Sequence, residues 1–110
     1  MHPWLRDLRH DLVKRAVWPA RDLRDSGERD VAPLRRGLLE LTDAEGRPVT
    51  ALRLFEGMRA KAPCPQAACD AFAQALQEAV NALDSAWPTP LHAVLGLEDA
   101  FSALARSLEK

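Results

Sequence analysis

The chain has 110 residues, 47% of them apolar and 28% charged, with a formal net charge of −1. This length and balance predict one folded domain over residues 1–110 and exclude a disordered tail. No run of 18 apolar residues occurs and no basic-then-apolar leader opens the chain, so the expectation is a cytoplasmic protein without a membrane span.

Composition favours helix. There are 19 Ala, 17 Leu and 12 Arg against six Val and no Ile or Tyr, and the first three are among the best helix formers. The expected fold class is therefore all-α: a small bundle of four to five helices ending in an antiparallel helical hairpin. The preference for Arg over Lys and the absence of Ile point to a GC-rich bacterial genome, so the abundance of Arg is not read as mechanism.

The first element runs from Pro3 to about Asp25. Leu5, Leu8, Leu12, Ala16 and Leu23 share one sector, with Asp7, His10, Lys14, Arg21 and Asp25 opposite. Pro19 is expected to kink or split this helix near Trp18, and Ser26-Gly27 to end it. A second helix starts after Asp30, a good N-cap, with Leu34, Leu38 and Leu41 on one face. Asp43 to Pro48 form a turn, and a third helix, Pro48 to Ala60, places Ala51, Leu52, Phe55 and Met58 together. A β-hairpin at about 39–54 competes with this helix pair, because Leu39 to Thr42 and Val49 to Leu54 also alternate. Both arms are too apolar for periodicity to decide.

The fourth element, between Pro65 and Pro88, is the clearest. Cys69, Phe72, Leu76, Ala79, Leu83 and Ala86 recur at three-and-four spacing, widened by Val80 and Trp87. Pro88-Thr89-Pro90 imposes a corner. The fifth element, Leu91 to Leu108, repeats Val94, Leu97, Phe101, Leu104 and Leu108, so the last two helices should form the hairpin.

Charge is divided unevenly. Residues 1–61 hold 13 Lys/Arg and 10 Asp/Glu, whereas residues 62–110 hold two and six. Attraction between the two halves is the preferred reading of this split, ahead of steering of an outside partner.

Catalytic signatures are missing. Cys64 and Cys69 make a single C-x₄-C, and with both on one helix they would diverge by about 140°, so two free thiols are expected and no metal site. His10-Asp11 is similar to the phospho-accepting histidine of two-component kinases, but no nucleotide-binding box accompanies it, and it reads as a solvated pair. His92 falls on a polar face and His2 at the terminus. The carboxylate pairs Asp22/Asp25 and Glu98/Asp99 lack apolar surroundings, and the five glycines are isolated. No catalytic residue, cofactor or metal is expected, and the protein is not expected to be an enzyme.

Two interaction readings remain. The helix, turn and helix over 31–60 have the outline of a helix-turn-helix, with Arg47, Thr50 and Arg53 placed to meet nucleic acid. The sequence pI near 6.3 weighs against it. Alternatively, apolar residues off their helix stripes (Val17, Trp18, Leu39, Leu54 and Leu95) form a protein-binding patch. The expected partner-binding residues are Trp18, Leu39, Leu54, Val80, Leu83 and Trp87. The fourth helix carries an a/d seam for a homodimer. The leading expectation is a small non-catalytic bacterial interaction or regulatory module that self-associates; a DNA-binding regulator is the alternative.

Overall fold

Pro19 has no N–H to donate to the Arg15 carbonyl, and in a regular α-helix its ring would clash with that group. In the computed structural model, which describes residues 3–43, 45–61 and 65–108, the helix widens instead of breaking. α1 (Pro3–Leu12) passes through a π-helical turn (Val13–Val17) into α2 (Trp18–Ser26) as one rod. The Trp18 N–H donates to the Val13 carbonyl, the i→i−5 bond of a π turn. The expected kink is thus a local widening.

The extra residue rotates the downstream part of the rod by about 100° relative to an unbroken helix. Ala16 and Val17 are consequently both buried, Ala20 and Leu23 continue the buried face, and Trp18 turns outward. Val17, off the stripe of a regular helix, belongs to the core for this reason. Gly27, at φ 77°, ends the rod and donates to the Leu23 carbonyl at 2.9 Å.

α3 (Ala32–Leu39) begins where the Asp30 carboxylate accepts the Ala32 N–H at 3.0 Å. Leu34 and Leu38 enter the core, and Gly37 lets α3 cross closely over the π turn. The chain then forms a short hairpin of β1 (Leu41–Thr42) and β2 (Pro48–Val49), antiparallel, with Leu41 opposite Val49. The Asp43 carboxylate accepts the Glu45 and Arg47 N–H groups at 2.9 Å each, and Gly46 takes φ 79° to close the turn. α4 (Ala51–Arg59) comes next, capped by Thr50. The two alternatives for 39–54 are therefore combined: a hairpin stands between two helices. Leu41 reaches the core from a strand, which is why it shares the apolar spacing of α3 without belonging to it.

α5 (Gln66–Ala82) stops short of the expected boundary at Pro88, and residues 83–88 turn the chain through a cis Trp87–Pro88 peptide. The expected fifth helix is two, α6 (Thr89–Leu95) and α7 (Leu97–Leu108), separated by Gly96. The C-terminal helical hairpin is present, with a bent second arm. With that bent arm counted as one, five helical rods result among the described residues, and the fold is predominantly all-α.

α5 packs against α4, α6 and α7, and α3 packs on the π turn. Phe72 of α5 joins these layers: its ring centroid lies 4.7 Å from Phe55 of α4 and 4.6 Å from Phe101 of α7. Among the described residues, three ion pairs bind the basic first half to the acidic second half: Arg21–Glu98, Arg35–Asp84 at 3.2 Å and Arg59–Asp70 at 2.9 Å. The uneven charge distribution operates within the chain, as the preferred reading has it. No helix among the described residues is long and apolar enough to cross a membrane.

Candidate interaction surfaces

Trp18 is the large apolar side chain that remains exposed among the described residues, at 50% of its surface. Lys14 and Arg15 precede it by about one turn of the same rod. With Arg36 and Glu40 of the α3 end, they line a hollow of about 270 Å³ floored by Pro19 and Gly37. Lys14, Arg15 and Arg36 form no ion pair among the described residues. Three cations without an ion pair and one carboxylate therefore line the hollow, and Trp18 is the chain neighbour of its Pro19.

A larger groove of about 530 Å³ lies between the hairpin and α4. Val49, Leu54 and Met58 supply its apolar walls, and Arg53, Gly57 and Lys61 a second row. At the hairpin end, Arg47 is ion-paired with Glu45 and with Asp43 at 3.5 Å. The Thr50 hydroxyl accepts the Arg53 N–H at 3.2 Å, satisfying one of the free donors of the α4 N-terminus. Of the three residues placed on the nucleic-acid reading, Arg47 and Thr50 are thus engaged within the chain. Only Arg53 extends without an ion pair among the described residues. The helix-turn-helix outline is also altered, because the hairpin occupies the connection between α3 and α4.

The partner-binding residues expected from sequence do not form one patch. Leu39, Leu54, Val80 and Trp87 are half-buried and pack against the core, as does Leu95. Leu83 is 4% exposed and lies in the core with Cys69, Phe72, Leu76 and Ala79. The a/d seam of α5 faces this chain's own helices. Periodicity places the fifth helix on one side of that seam and a second copy on the other, whereas α3, α4, α6 and α7 all pack against α5 and cover it.

Cys69, expected as a free thiol, is disulfide-bonded. α5 begins at Gln66, so the helical angle between the two cysteines, on which that expectation rested, does not apply. Cys64 and His2 lie outside the described residues. His10 and His92 are exposed. Lys14, Arg15, Arg36 and Gly57 are not singled out from sequence as a binding surface. The spacing Arg53, Gly57, Lys61 carried a usable signal, since it sets three residues in one helical row; the cluster around Trp18 required the π turn.

No family model, curated protein or solved structure matches this chain.

Proposed function

We propose that the domain is a non-catalytic protein-interaction module that docks an acidic partner on its Trp18 face. The observation that carries this reading is the half-exposed Trp18 on the same rod as Lys14 and Arg15, which with Arg36 form no ion pair among the described residues and line a hollow shared by Pro19, the next residue after Trp18. Tryptophan and arginine are enriched at binding hot spots, where a large ring fills a pocket and a planar cation pairs with carboxylate. Three cations against Glu40 leave this region positive, which favours and orients a negatively charged surface.

A second copy of the chain suits this face less well. A two-fold contact through Trp18 would set Lys14, Arg15 and Arg36 near their own counterparts. The α5 seam is covered within the chain, so the homodimer expected from sequence has less support than a partner of opposite charge. Nucleic acid is the weaker alternative, given a pI near 6.3 and the internal engagement of Arg47 and Thr50.

The test places a photo-crosslinking amino acid at position 18 and, as a control, at exposed Ser102, in cells that make the protein. A protein adduct at position 18, absent at 102 and lost with Arg15→Glu or Arg36→Glu, is the expected result. Equal adducts at both positions, or none at position 18, reject the Trp18 face. A concentration-dependent dimer in sedimentation that Trp18→Ala dissolves would favour self-association.

A further inference from the structure

The groove between the β1–β2 hairpin and α4 shares no lining residue with the hollow beside Trp18, and its reading does not depend on that face. Arg53, Gly57 and Lys61 recur at four-residue intervals, so they form one row along α4 and the turn that ends it. At 1.5 Å per residue the two cations leave the backbone about 12 Å apart. Leu54 and Met58 form the neighbouring row, and Val49 closes the opposite wall. Midway between the cations, a Cβ on Gly57 would meet nothing within 4 Å. Open space therefore stands over the helix at the centre of the row, next to apolar side chains.

These features match one backbone geometry. In an extended chain alternate side chains point the same way, and residues i and i+4 lie about 13 Å apart. Carboxylates at i and i+4 then reach Arg53 and Lys61, while an apolar side chain at i+2 falls over Gly57 against Leu54 and Met58. We propose that this groove binds an extended protein segment carrying acidic, apolar and acidic residues at alternate positions. A nucleic-acid strand fits less well. The lining holds no aromatic ring for base stacking, and only two of its cations, Arg53 and Lys61, form no ion pair among the described residues, which suits two carboxylates better than a run of phosphates.

The test titrates the isotope-labelled domain, observed amide by amide by NMR at low salt, with the blocked peptide Ser-Glu-Ser-Leu-Ser-Glu-Ser. Saturable shifts confined to residues 47–61 are expected. Gly57→Leu places a good helix former in the open space, and should weaken binding at least about tenfold while the melting temperature is kept. Arg53→Glu and Lys61→Glu should each weaken it by about tenfold. The same peptide with Lys for Glu should not bind, and Trp18→Ala should leave the affinity unchanged, which separates this groove from the Trp18 face. Absence of saturable shifts, or an affinity indifferent to both Gly57→Leu and Arg53→Glu, overturns the proposal. Tighter binding of oligothymidylate at the same amides also overturns it, in favour of nucleic acid.

Discussion

Gly37 of α3 sits directly on the backbone of Arg15 and Ala16 in the π turn. A Cβ at position 37 would lie 2.8 Å from Ala16 Cα and closer still to the Arg15 carbonyl oxygen. That carbonyl is the one to which Pro19 has no N–H to offer. The proline that widens the first rod and the glycine that crosses it therefore meet at one peptide group.

Gly37→Ala consequently opposes two effects. Alanine favours the helix by about 1 kcal/mol, but the methyl meets rigid backbone, and overpacking of that kind costs about 1–3 kcal/mol. With backbone atoms this close the upper end of that cost applies, the steric term wins, and a net loss of about 2 kcal/mol is expected as a lower urea midpoint. An unchanged or raised midpoint would contradict the close crossing.

Gly57→Ala should behave in the opposite way. It lies in α4 with nothing near the added methyl, so the gain in helix propensity is unopposed. A stabilisation of about 0.5–1 kcal/mol is expected from the same denaturation measurement. Measured together, the two substitutions test whether local space, not glycine content, decides the sign.

Phe72 touches both Phe55 and Phe101, and so couples α4, α5 and α7. Phe72→Ala should cost about 3–5 kcal/mol, a large part of the roughly 5–15 kcal/mol that holds a domain folded. Phe72→Leu retains most of the volume and should cost markedly less. Thermal unfolding of the pair checks this, and similar melting points would show that the ring contacts contribute little.

The three ion pairs between the halves should differ in strength. Arg59 has only 19% of its side chain exposed and its guanidinium carbon lies 5.9 Å from the Phe55 ring centroid, so it begins partly ordered. Double-mutant cycles should give about 1 kcal/mol for Arg59–Asp70 and close to zero for the more exposed Arg35–Asp84. A reversed order would mean that exposure does not set the difference.

Much of the helical architecture was legible because amphipathic stripes report burial directly. Phe72, Leu76, Ala79 and Leu83 identified the buried face of α5, and Phe101 and Leu104 that of α7. The stripe carries no count of neighbours, and so a face covered by four helices reads as one with room for a second copy. Val17 is misplaced by a helical period that the π turn does not obey, whereas Trp18 lies off the stripe and is exposed. At 39–54 the strands are two residues each, too short for alternation to outweigh the helices on either side. The two surfaces were less legible still: Arg36 reaches Lys14 and Arg15 only through the crossing at Gly37, and the groove exists only once the hairpin folds back beside α4.

The π turn also decides where the first rod tolerates being shortened. It already holds one residue more than a regular turn, so removing one from Val13–Val17 would restore ordinary hydrogen-bond spacing and leave everything beyond it in phase. Ala20 and Leu23 would stay in the core, and Arg21 would stay aligned with Glu98. The same deletion within α1 or α2 would rotate the rest of the rod by about 100° and carry an apolar face into solvent. What the shortened turn would lose is the clearance around Pro19, whose ring would again meet a carbonyl one turn back. The irregular turn is thus spare chain length, held where a proline needs the room.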